Sequence, residues 1–146
     1  MAKDSRIVYK MLDSNDGISE NTNRALEMAT GEFIALMDHD DVITPDALYH
    51  LVKAVNEDAM ADSVYSDEDK MDMDGRKLFE PHFKPDFNID YLRSCNYICH
   101  MFMTRTSIAR EVGGFRKPFD GAQDFDFIFR CTEKSRHVAH VPRVIY

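Results

Sequence analysis

A chain of 146 residues suffices for one domain with a real core, and 44% hydrophobic with 30% charged residues describes a soluble, globular protein. The formal charge of -8, with no basic block to offset it, argues against a nucleic-acid backbone as main partner. No apolar stretch reaches membrane-span length, Met-Ala-Lys-Asp-Ser lacks the features of a secretion signal, and Cys95, Cys99 and Cys131 make no zinc-type Cys-x-x-Cys pair. The expectation is a cytoplasmic protein with reduced, buried thiols.

In chain order, Arg6 to Leu12 is moderately apolar and β-rich and predicts a strand, followed by a turn at Asp13 to Gly17. Ser19 is placed to cap a helix running to about Thr30, with Ala25, Leu26 and Ala29 inward and Gly31 as its C′ residue. Glu32 to Met37 reads as a strand buried on both faces, so the first third predicts a right-handed βαβ unit around a central parallel strand. Thr44-Pro45-Asp46 marks the next helix start, with Leu48, Leu51, Val52 and Val55 as its inward stripe. Ser63 to Ser66 predicts a short strand ending at Asp67, Glu68 and Asp69. Met71 to Gly75 predicts a turn, and Phe79 to Phe87 an aromatic, proline-punctuated loop. Tyr97 to Met103 (strand), Arg105 to Val112 (helix stopped by Gly113-Gly114), Phe125 to Cys131 (helix) and His137 to Val141 (strand) complete the chain.

The chemistry concentrates where the apolar run ends, at Asp38-His39-Asp40-Asp41. Carboxylates at the carboxyl end of a central parallel strand sit where open α/β sheets bind ligands. Their mutual repulsion is relieved either by solvent or by a hard cation such as Mg²⁺ or Mn²⁺, and the residues alone leave both open. Asp72, Asp74 and Gly75 match part of a calcium loop, but Lys70 and Pro81 would occupy its end-ligand positions, so a solvated hairpin turn is the better account. Asp124 and Asp126, two residues apart on a helix, point roughly 200° apart, and at most one can face a given cleft. Asp124 is then either a helix N-terminal acid or a general base. His100 reads as a buried, hydrogen-bonded strand residue, and Asn96 as turn chemistry or a sugar-hydroxyl contact.

Taken together, Asn15-x-Gly17-Ile18-Ser19, Thr22-Asn23-Arg24-Ala25-Leu26 and Ala29-Thr30-Gly31 through Asp41 resemble the family 2 glycosyltransferases. The resemblance continues through Tyr65-Ser66-Asp67-Glu68-Asp69, Phe83-Lys84-Pro85-Asp86, Asn96-Tyr97-Ile98, Gly113-Gly114-Phe115 and Gly121-Ala122-Gln123-Asp124-Phe125-Asp126. It implies a three-layer α/β/α GT-A domain spanning residues 1–146 with a mixed, mainly parallel sheet, incomplete at the N-terminus. It implies metal-dependent, inverting transfer of a sugar from a UDP-, dTDP- or GDP-linked donor to a saccharide or lipid-linked acceptor in cell-surface polysaccharide synthesis.

By the same resemblance Asp40 and Asp38 would hold Mn²⁺ or Mg²⁺, and Asp38, Asn23 and Asn15 would serve the donor nucleotide. Asp67, Asp69, Asn96 and His100 would line the sugar or acceptor side, and Asp124 would be the base. Gln123 stands where the family has Glu. Family members also begin with further elements that form the nucleobase pocket, and often carry a later histidine as an extra metal ligand. A chain truncated at both ends is therefore expected, with an exposed sheet edge that favours dimerisation; peripheral membrane association is a separate expectation for the full-length protein. The rival expectations are a non-catalytic remnant that binds metal and diphosphate, an interaction domain with merely solvated acids, and a hydrolase using Asp40 and Asp124 as paired carboxylates.

Overall fold

The computed structural model describes residues 4–146, so the first three residues of the stretch read for a secretion signal lie outside it. Five strands are described: β1 (Phe33–Leu36), β2 (Ala61–Met71), β3 (Leu78–His82), β4 (Phe102–Arg105) and β5 (His137–Val144). The helices are α1 (Ile18–Met28), α2 (Ala47–Glu57), α3 (Ile89–Ser94), α4 (Thr106–Glu111) and α5 (Gln123–Lys134). The sheet runs β1-β4-β2-β3, with β5 also on β2. It is mixed, as expected, but not mainly parallel. β1/β4, β2/β4 and β2/β3 pair antiparallel, and β2/β5 is the parallel pair among the described residues.

Alternation along the strands sends side chains to two cores, which makes three layers. Tyr65, Phe102, Val138, Ile34 and Leu36 meet α1, α4 and α5 through Leu26, Ile108, Phe127 and Ile128. Val64, Met103, Val141 and Phe33 meet α2 through Ala47, Leu51, Ala54 and Val55. The α2 stripe is therefore shifted from the expected one, leaving Leu48 and Val52 half-exposed on the outer face. Its helix begins at Ala47, after a turn in which Thr44 Oγ1 donates to Asp46. No helix among the described residues is long and apolar enough to cross a membrane.

Residues 6–12 form no strand, and Ile7, Val8, Tyr9 and Met11 are exposed. Strand propensity needs a ladder partner, and this segment has none among the described residues, so the expected βαβ unit is not formed there. β1 is correspondingly not central, since β4 is its one described partner. Helix α1 also starts differently. Gly17, at φ 101, occupies its N-cap position, and Ser19 is buried with its hydroxyl donating to Asp120, a carboxylate from the 3-10 turn region 117–120. Strand β2 runs through the acids Asp67 to Asp69 rather than stopping before them, because β3 extends the ladder as a hairpin. Asp72 braces that hairpin turn by accepting the Arg76 and Lys77 N–H groups, so it is spent on structure as the solvated-turn expectation requires.

Candidate active site

The apolar strand β1 delivers its carboxylates into the turn 38–41, closed by the Asp41 N–H to the Asp38 carbonyl. Tyr146, directly after β5, ties this turn down. Its hydroxyl donates to Asp41 Oδ2 at 2.5 Å and accepts the Asp38 N–H at 3.1 Å, while its own carbonyl accepts the Asp69 N–H. Its ring stacks on His100.

His100 belongs to the loop before β4 rather than to a strand. That loop is held by Lys84, whose side chain is fully enclosed and donates to Glu68, to the Ile98 carbonyl at 2.9 Å and to the His100 carbonyl. Glu68 in turn accepts the His100 N–H. Burial lowers the Lys84 pKa and the Glu68 carboxylate opposes that shift.

Asp124 enters from the first turn of α5. Gly121 donates its N–H to Gln123 Oε1 at 2.7 Å, which orients the amide so that Nε2 donates to Asp124 Oδ2 at 2.9 Å. Burial raises the Asp124 pKa above 3.8. His100 and the Gln123 amide pull it down, and the Asp38 charge pushes it up. Asp126 points away and is spent on Arg116 and Arg130, as the helical spacing requires.

Three segments distant in sequence thus meet. Asp38 Oδ2 lies 3.6 Å from His100 Nε2, and Asp38 and Asp124 line one cleft of about 360 Å³ between α1 and β1. Cys99 also belongs here. Among the described residues, Cys99, His100 and Asp124 offer donor atoms within 4.8 Å of one another. Burial, reinforced by Asp124 and Glu68, raises the Cys99 thiol pKa. Cys131 is buried, Cys99 half-buried, and Cys95 exposed, contrary to expectation.

The other candidate residues are distributed differently. Asp40 is solvent-open beside His39 and lines a neighbouring groove of about 690 Å³ with Asp41, Asp69, Asp72 and Tyr146. Asp67 is buried in β2, where it pairs with His140 Nε2 at 2.8 Å and accepts the Lys84 N–H. Asn15 accepts the Gly17 N–H and the Asn21 amide at the start of α1. Asn23 is bonded through both ends of its amide to the Phe115 backbone, each at 2.8 Å. The Asn96 carbonyl oxygen is buried without a partner among the described residues. Sequence reasoning missed Glu68, Lys84, Cys99 and Tyr146. Two of these were signalled, Glu68 and Lys84, because both stand in stretches that carry the family resemblance, Tyr65 to Asp69 and Phe83 to Asp86.

Asp38 and Asp40 fit a hard divalent cation by donor chemistry. They are exposed oxygen donors, and open sites of this type use one or two carboxylates and leave room for phosphate oxygens and water.

Residues 1–113 match the sequence model of Glycosyl transferase family 2. The chain is 41% identical, over 99% of its length, to 16% of an uncharacterized protein, y4gI, of Sinorhizobium fredii. It is 31% identical, again over 99% of its length, to 11% of the O-antigen biosynthesis protein RfbC of Myxococcus xanthus. The chain therefore spans less than a fifth of either relative. The crystal structure of S. aureus TarS 1-349 in complex with UDP-GlcNAc superposes with a TM-score of 0.70 at 21% identity, over 92% of this chain and 40% of that one. That likeness shows a shared fold, the GT-A architecture expected from the motifs. With a family match covering most of its length, this chain belongs to glycosyl transferase family 2.

Proposed function

We propose that the chain carries the metal and general-base part of an inverting transferase. The reaction moves a sugar from a nucleoside-diphosphate donor (UDP-, dTDP- or GDP-linked) to a hydroxyl of a saccharide or lipid-linked acceptor, in surface polysaccharide assembly. The observation that carries this is the convergence of Asp38, His100 and Asp124 from three separate segments, with Asp38 and Asp124 lining one cleft and His100 beside both. The similarity to an O-antigen biosynthesis protein and the fold shared with TarS, a protein crystallised with UDP-GlcNAc, agree with it.

Asp38 and Asp40 would hold Mn²⁺ or Mg²⁺. When bound, the dication supplies Lewis-acid stabilisation of the leaving diphosphate. Asp124 takes the proton of the acceptor hydroxyl as its oxygen attacks the anomeric carbon and the bond to the diphosphate oxygen breaks on the opposite face. Burial raises the proton affinity of Asp124, and Gln123 fixes one of its oxygens so that the other is free for the acceptor. His100 Nε2 lies 3.6 Å from Asp38 Oδ2, where its imidazole can meet donor phosphate or sugar hydroxyls.

Calorimetric titration of UDP into the chain, with Mn²⁺ and then with chelator, tests the donor site. Binding should require the metal and be lost in Asp40→Ala. A folded chain that binds none of UDP, dTDP and GDP in the presence of Mn²⁺ would overturn the proposal.

A further inference from the structure

Beside the hard-cation carboxylates lies a donor set of different chemistry. Cys99 Sγ sits 3.0 and 2.9 Å from the two ring nitrogens of His100, and an Asp124 oxygen completes a half-buried group spanning at most 4.8 Å. We propose that Cys99, His100 and Asp124 form a binding site for a thiophilic divalent cation of the zinc class, and that its occupancy takes Asp124 out of use as a base. The second half rests on the transferase proposal above; the first does not.

The donor types select the ion. Thiolate and imidazole suit zinc, whereas Mg²⁺ demands oxygen ligands in near-octahedral geometry. Bond lengths of about 2.3 Å to sulfur and about 2.0 Å to nitrogen place tetrahedral S and N donors about 3.5 Å apart. Coordination through Nδ1 puts the ion on the side of the ring away from Nε2, so Cys99 Sγ opens from 3.0 Å to about 3.5 Å at Nδ1 and has to turn away from Nε2.

Charge also balances. On coordination the thiol proton leaves to solvent, and one thiolate with one carboxylate neutralises the dication, so a half-buried ion is not left uncompensated. With Nδ1 as the ligand and Sγ withdrawn from Nε2, Asp38 Oδ2, 3.6 Å from Nε2, is the carboxylate placed to orient the metal-bound imidazole. The Tyr146 ring and the Lys84 bonds to the carbonyls on either side of Cys99 hold the loop in place. Water can complete the coordination.

Cobalt(II) titration of the whole chain is the test, because it reads the sulfur ligand directly and needs neither donor nor turnover. The expected result is a near-ultraviolet thiolate-to-cobalt charge-transfer band with intense visible absorption of four-coordinate Co²⁺, displaced by one equivalent of Zn²⁺. Cys99→Ser should abolish the band and weaken zinc binding more than about tenfold, while Cys95→Ser and Asp40→Ala keep both. A folded wild-type chain without the band, or a band that survives Cys99→Ser, overturns the site. A chain that shows the band but binds no nucleotide overturns the transferase proposal and leaves the cation site standing.

Discussion

The ring of Tyr146 lies stacked on that of His100, 5.1 Å between centroids and 11° from parallel, while its hydroxyl bridges Asp41 and the Asp38 backbone. One side chain thus ties the acidic turn to His100. Tyr146→Phe keeps the stack and removes both hydrogen bonds. The acidic turn should loosen and metal-dependent UDP binding weaken by about threefold to tenfold, measured by calorimetry, with about 1 kcal/mol lost in stability.

Asp124 makes a pH-dependent prediction. Its folded pKa is raised above the ordinary 3.8 by burial, so ionisation is harder in the folded chain than in the unfolded one. Its contribution is favourable below that value and is lost as pH rises through the folded pKa. Asp124→Asn should therefore be more stable than wild type in urea at pH 7, and the gain should vanish below about pH 3.8. The same variant should lower kcat by about 10²–10⁴ while leaving UDP affinity intact.

Lys84 is enclosed and bonded to Glu68 and two loop carbonyls. Lys84→Met keeps the stem but removes the buried donor to both loop carbonyls and the cation beside Glu68, which keeps the His100 N–H. A loss of about 2–3 kcal/mol is expected from the urea midpoint at unchanged slope, since two loop carbonyls lose their enclosed donor. Because the His100 loop loses its anchor, catalysis should fall further than stability alone explains.

Asn23 separates bracing from donor binding. Its amide is fully used by Phe115, and a Cβ on Gly114, at φ +67, would collide with Asn23 Oδ1. Asn23→Ala should cost about 2 kcal/mol by leaving the Phe115 N–H and carbonyl unpaired. Gly114→Ala should lower the melting temperature through the same clamp. UDP affinity, corrected for the unfolded fraction, should be unchanged in both.

Local pattern determined much of this protein. The apolar run into Asp38, the helix stop at Gly113-Gly114, the solvated turn around Asp72 and the divergence of Asp124 from Asp126 all follow from periodicity, glycine geometry and spacing. Tertiary structure decided whatever depends on a distant partner. Strand propensity in residues 6–12 found no neighbour, and β1 paired antiparallel with β4. The face α2 buried was settled by which residues the sheet could cover. Asp67 was drawn inward by His140, Lys84 was enclosed by carbonyls 14 and 16 residues away, and Tyr146 was recruited across 105 residues to Asp41. Hydrophobic period states which side of an element is apolar. The element that covers that side, and the charge that meets a given carboxylate, are set only when the chain closes on itself.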